Sequence, residues 1–171
     1  LIDPAAIAAL EEAADRVQLI GQIQRQLYDL DGQQQAVDDM LLLVVQDCLD
    51  SFARNDVQFA IEVESGLKML PDQAIPVSLI VYEAVANAVE HGFSDRGGMV
   101  AVHARLSGDW IEVCVTDDGA GLPPGFVMSQ CPSMGLKLSS ALAGQCGGSF
   151  ALEAAEGRTV ATVRLPNAAE G

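Results

Sequence analysis

Two β-rich runs, Met99–Leu106 and Trp110–Thr116, are separated only by Ser107-Gly108-Asp109. A second pair, Ser149–Glu153 and Thr159–Leu165, brackets Glu156-Gly157. Linkers that short, carrying glycine, close antiparallel hairpins. Four strands are therefore committed to antiparallel neighbours before anything else is read. A fifth run, Val57–Glu64 (VQFAIEVE), alternates at period two and reads as a further strand.

The remaining segments have helical spacing. Asp3-Pro4 reads as an N-cap followed by proline at the first helical position. From there Ile7, Leu10, Ala14, Val17, Ile20, Ile23 and Leu27 recur at steps of three and four, which predicts one long amphipathic helix. A stripe of that length has to lie against something, and a dimer bundle is a plausible partner. After the polar break Asp29–Gln35, a second helix is expected over about 37–52. A third is expected from about Pro76 to Glu90 and a fourth over Gly135–Gln145, with the Gly-, Pro- and Ser-rich stretch 117–134 as a loop. The expected fold class is α+β: a two-layer α/β sandwich whose mixed, mostly antiparallel sheet is covered by helices on one face, preceded by a long amphipathic helix. The expected division is 1–30 for that helix and 36–171 for the sandwich.

Charge narrows the function classes. Twenty-four acidic residues stand against nine basic ones, giving −15 and a pI of about 4.2. Such a surface repels phosphate backbones, so no nucleic acid and no anionic-membrane contact is expected. Of the −15, −8 falls in the first 56 residues. The longest strongly apolar run, Met40–Val45, is too short to span a bilayer, and no basic-then-apolar segment opens the chain. Cys48, Cys114, Cys131 and Cys146 stand singly, without zinc spacing, and are expected to be free thiols in a reducing cytoplasm. The chain begins at Leu1 rather than Met, so it is expected to be a piece of a longer protein.

Four motifs carry the chemistry. In the third helix Glu83, Asn87, Glu90 and His91 form a polar stripe on an otherwise apolar element. A solvated face is the plain reading. An Asn one turn after a Glu also suits a hard cation and its phosphates. Asp117-Asp118-Gly119-Ala120-Gly121 follows a strand directly, and its carboxylate can accept a hydrogen bond from an exocyclic amino group while the glycines allow close backbone approach. Ser133–Leu138 enters a helix, where free N–H groups can hold an anion without any net positive charge. Gly157-Arg158-Thr159 stands in the last strand.

In this order the motifs resemble one family. Glu83-x-x-x-Asn87-x-x-x-His91 is similar to the N-box, and Asp117-x-Gly119-x-Gly121 to the G1 box. Gly135-Leu136-x-Leu138 with Gly147-Gly148 is similar to the G2 region, and Gly157-x-Thr159 to the last nucleotide-contacting segment. Together they resemble the GHKL ATPase superfamily, the Bergerat fold. Ala74-Ile75-Pro76 and Ala141-Leu142-Ala143-x-Gln145 are most similar to bacterial sensor histidine kinases of the short-lid class related to the HWE kinases. Asp3–Tyr28 resembles the second helix of their dimerisation and phosphotransfer hairpin.

The resemblance implies ATP and Mg²⁺ as cofactors. Asp117 would receive the adenine amino group with Thr159 in support, and Gly119 and Gly121 would let the loop pass close to the nucleotide. Asn87 would ligate Mg²⁺, with His91 part of the same box and Glu83 the polarising carboxylate. Backbone N–H groups near Gly135 and Leu136 would hold phosphate oxygens. The γ-phosphoryl group would pass to a histidine and then to a response regulator receiver domain, in a cytoplasmic homodimer formed through the N-terminal helix. The chain departs from the pattern at Glu90, where these kinases usually carry a basic residue, and at Cys131-Pro132-Ser133, where glycines are expected. Neither His91 nor His103 is a phosphoacceptor in this reading, so the chain is expected to bind ATP without autophosphorylating. Two alternatives remain: a docking protein that keeps the fold but has lost ATP, and an anti-sigma-factor serine kinase, against which the long first helix argues.

Overall fold

The computed structural model describes residues 3–28, 37–94 and 96–167. Helix α1 (Pro4–Tyr28) opens the chain, capped as its sequence predicts: Asp3 Oδ1 accepts the Ala5 N–H at 3.0 Å. The polar break Asp29–Gln35 lies outside the described residues, as does the side chain of Leu27. Helix α2 (Val37–Ser51) buries Val37, Met40, Leu41, Val44, Val45, Cys48 and Leu49. Strand β1 (Val57–Val63) follows, then helix α3 (Pro71–Asn87), strands β2 (Gly98–Ser107) and β3 (Trp110–Asp117), helix α4 (Met134–Gln145), and strands β4 (Ser149–Ala155) and β5 (Arg158–Pro166).

The five strands form one sheet in the order β1-β2-β3-β5-β4. The two hairpins are where the sequence puts them. Glu156 and Gly157 both hold positive φ, 54° and 75°, the I′ pattern that matches strand twist. Strands β1 and β2 pair in parallel, Val57 opposite Gly98, with α3 as the crossover between them. Alternation sends Val100, Val102 and Ala104 of β2 and Ile111, Val113 and Val115 of β3 toward the helices, into one buried core. His103 and Arg105 of β2 lie exposed on the opposite face. This is the expected α+β two-layer arrangement. All four cysteines are free thiols.

Two elements differ from the sequence reading. Helix α3 starts at Pro71, not Pro76, because Pro71 occupies the first turn, where a missing N–H costs nothing. Gln73 then ties the start down: its Oε1 accepts the Leu70 N–H at 3.1 Å and its Nε2 donates to the Pro166 carbonyl at 2.8 Å. Pro76 lies inside the helix. At the other end, α3 widens into a π-turn over Ala88–Gly92, with the Phe93 N–H bonding the Ala88 carbonyl at 2.9 Å.

Helix α1 packs only part of the face its periodicity suggests. Leu19 and Ile23 are fully buried, whereas Ile7, Leu10 and Val17 remain 42%, 69% and 68% exposed. Ala14 is exposed as well. The anticipated apolar stripe is therefore uncovered over its first half, and Leu19, which lies off it, supplies the anchor.

Candidate functional site

The site grows out of the end of β3. The alternation that buries Val113 and Val115 continues for one more residue and turns Asp117 inward, 7% exposed. Thr159 of β5 stands directly opposite it in the ladder. Asp117 Oδ1 accepts the Gly119 N–H at 3.0 Å. Burial raises its pKa above the ordinary carboxylate value, with the Gly119 hydrogen bond opposing and the Asp118 charge adding to the rise. Among the described residues no basic side chain pairs with it.

The loop after Asp117 is laced onto the π-turn. Ala120 donates its N–H to the Gly92 carbonyl at 2.9 Å, and a Cβ on Gly119 would stand 2.6 Å from three backbone atoms of Gly92. Gly119, anticipated beside a ligand, is thus a backbone-to-backbone contact and does not line the cleft. Gly121, at φ +82°, does line it.

That cleft has a volume of about 430 Å³. Val115, Leu122, Phe126, Leu136, Phe150 and Leu152 give it apolar walls, and Asn87, His91, Asp117, Ser133 and Thr159 supply its polar groups. Apolar walls around a carboxylate with no basic partner among the described residues suit an apolar ring with an exocyclic N–H donor. At the mouth, helix α4 begins with its first N–H groups lacking helical partners. Ser133 caps it, though loosely: its Oγ accepts the Leu136 N–H at 3.4 Å.

Glu83 is turned away from this cleft. It is 6% exposed and lines a second cavity, of about 590 Å³, between α1, the end of α3 and the start of α4. Its Oε1 is bonded by the Nε and Nη2 groups of Arg16 on α1. Its Oε2 lies against Gly135, where a Cβ would come within 2.5 Å. Asn87, His91 and Ser133 line both cavities. Glu90 faces the α1 side, with burial raising its pKa first and the Glu12 and Glu83 charges adding. The sequence-marked residues therefore divide: Asn87, His91, Asp117, Gly121, Leu136 and Thr159 gather at the cleft, while Glu83 and Gly135 meet behind it.

No group of three or more His, Cys, Asp or Glu among the described residues could hold a metal alone. A hard cation held by one amide oxygen and by phosphates needs no such group, so Asn87 fits that role. Sequence reasoning missed Arg16 and Gly92. The first carried no signal beyond Glu12 one turn earlier, and the second was hidden in the same helix pattern as His91.

Residues 72–169 match the family model described as histidine kinase-, DNA gyrase B- and HSP90-like ATPase. The chain belongs to this ATPase family. Over 99 residues it is 35% identical to sensor histidine kinase PdtaS of Mycobacterium tuberculosis, covering 56% of this chain and 20% of that protein. It is also 36% identical over 74 residues to an anti-sigma F factor of Clostridium acetobutylicum, covering 43% of this chain and 49% of that one. The ATPase fold is shared with the histidine kinase domain of the Erythrobacter litoralis EL346 blue-light activated histidine kinase. That match has a TM-score of 0.72 at 21% identity and covers 90% of this chain and 73% of the other. The longer EL346 structure aligns at a TM-score of 0.79 and 18% identity, over 94% of this chain and 56% of that one. The chain spans about a fifth of the length of the PdtaS relatives it matches.

Proposed function

We propose that this ATPase-family chain is the ATP-binding catalytic part of a bacterial two-component sensor histidine kinase. In this reading it transfers the γ-phosphoryl group to a histidine carried elsewhere. Residues 36–171 are the catalytic unit, and 1–30 are part of a dimerisation and phosphotransfer helix. The observation that carries the proposal is Asp117: a buried carboxylate with no basic partner among the described residues, on the wall of an apolar cleft of about 430 Å³, with Thr159 opposite it in the ladder.

Bound Mg-ATP supplies the transferable phosphoryl group. Asp117 accepts the adenine amino hydrogen and Thr159 supports it. The apolar walls exclude water from the ring. Asn87 offers its amide oxygen to Mg²⁺, and His91, lining both cavities, stands on the phosphate side. The N–H groups at the start of α4, near Gly135 and Leu136, hold phosphate oxygens with the positive end of the helix dipole. Glu83 is the carboxylate that polarises the acceptor. With so few cations, phosphate binding depends strictly on Mg²⁺.

The exposed Ile7, Leu10 and Val17 of α1 support a homodimer through that helix. The receiver domain of a response regulator is the downstream partner. No helix of the described residues is long and apolar enough to cross a membrane, and the cytoplasm is the proposed compartment. The match to an anti-sigma F factor keeps the anti-sigma-factor serine kinase reading second, with α1 again arguing for the first.

Thermal unfolding tests the proposal. Millimolar Mg-ATP raises Tm, and Asn87→Ala removes the rise. No rise in the wild type overturns the proposal in favour of a docking protein that has lost ATP.

A further inference from the structure

Among the described residues Arg16 is the one strong cation in the lining of either cavity, although the chain carries nine arginines and lysines. Asn87, His91 and Ser133 line both spaces, so the cleft and the cavity beneath α1 are neighbours that share a wall. There the Arg16 guanidinium bonds Glu83 Oε1 through two of its nitrogens, and its Nη1 stands 3.7 Å from Glu12. Asn87 lies one helical turn beyond Glu83, about 6 Å along the axis. Arg16 and Asn87 line the same cavity, and a long side chain that is 26% exposed has other staggered rotamers open to it. The planar fork of arginine suits phosphate oxygens at least as well as a carboxylate.

We infer that Arg16 is the residue that reads the terminal phosphate: its guanidinium leaves Glu83 for the γ-phosphate of a nucleoside triphosphate bound in the cleft. The inference rests on the ATP-binding reading above and deepens it. A diphosphate ends one phosphate short and leaves the Arg16–Glu83 pair in place. A triphosphate takes the guanidinium and frees Glu83 Oε1. The polarising carboxylate is thereby released only when a transferable group is present. The cation that Glu90 does not provide beside His91 comes instead from α1, which explains how a chain of net charge −15 holds a terminal phosphate.

Calorimetric titration of the full chain with Mg-ATP and Mg-ADP tests this. Wild type binds ATP more tightly than ADP by about tenfold or more, the worth of a charge-assisted phosphate contact. Arg16→Gln brings the two affinities together and leaves ADP binding unchanged, which also shows the domain is folded. Arg16→Lys, which keeps the charge without the fork, retains part of the preference. Glu83→Gln, which removes the competitor, tightens ATP binding alone. An unchanged ATP preference in Arg16→Gln, or equal loss of both nucleotides, overturns the inference and leaves Arg16 a clasp between helices. A wild type that binds both nucleotides equally also overturns it. A wild type that binds neither overturns the ATP-binding reading itself.

Discussion

Glu83 and Gly135 meet so closely that a Cβ on the glycine would stand 2.5 Å from the carboxylate's Oε2. They are 52 positions apart in the chain, and the contact joins the end of α3 to the first turn of α4. Arg16 holds the other carboxylate oxygen, so Glu83 has little room to yield. Gly135→Ala is expected to cost about 1–3 kcal/mol of stability by overpacking. In a Glu83→Ala background the same substitution costs much less. A double-mutant cycle read by urea unfolding measures that coupling. Additive effects would mean the two residues do not touch.

Asp117 is expected to work against the apo fold at neutral pH. A carboxyl whose pKa is raised on folding favours the folded state only while protonated. Its contribution is intact below the ordinary carboxylate range and lost as pH rises through the raised folded value. Asp117→Asn therefore leaves Tm at pH 7 unchanged or higher, and the difference from wild type shrinks as pH falls into the carboxylate range. The same variant loses ATP binding by at least about tenfold, because asparagine presents an N–H where the ring amino group needs an acceptor. A lower Tm at pH 7 would show that the carboxylate is a structural acceptor instead.

Gly119→Ala is expected to damage the fold rather than ligand contact. The added methyl would stand 2.6 Å from backbone atoms of Gly92, which have nowhere to go while Ala120 bonds the Gly92 carbonyl. Scanning calorimetry with and without Mg-ATP should show a lower Tm in both conditions, from a loss of stability of about 1–3 kcal/mol. Loss of nucleotide binding at unchanged apo stability would assign the glycine to the ligand after all.

On α1, burial separates two sets of side chains. Leu19→Ala or Ile23→Ala, at positions with no exposed surface, is expected to cost about 2–5 kcal/mol of helix docking. Leu10→Ala or Val17→Ala stays within about 0.5 kcal/mol in the monomer. Hydrogen exchange along α1 reads the first pair, and sedimentation reads whether the second pair weakens self-association.

Much of this is legible in the residues themselves. Gly108 and Gly157 announce both hairpins, because short links with glycine have few other solutions. The period-two pattern of β3 runs through Val113 and Val115 to Asp117, so its inward direction follows from counting. Other features depend on tertiary partners. The start of α3 is ambiguous between Pro71 and Pro76 until Gln73 finds the Pro166 carbonyl. Leu19 replaces Val17 as an anchor because the body beneath α1, not the helix pattern, selects the face. Gly119 reads like any glycine beside a ligand, since nothing in its own segment reveals Gly92 beneath it. Arg16 and Glu83, 67 residues apart, carry no mutual signal at all.

Among the described residues of α1, two buried side chains, Leu19 and Ile23, and the Arg16–Glu83 ion pair tether the helix to the sandwich. Burying each such side chain is worth about 1.5–3 kcal/mol. A ligand at a hundred times its Kd contributes roughly 2.7 kcal/mol. The ligand's contribution is thus about that of one of the two side chains. A ligand that distinguishes docked from undocked α1 offsets a large share of what holds the helix in place, so the docked population reports what fills the cleft.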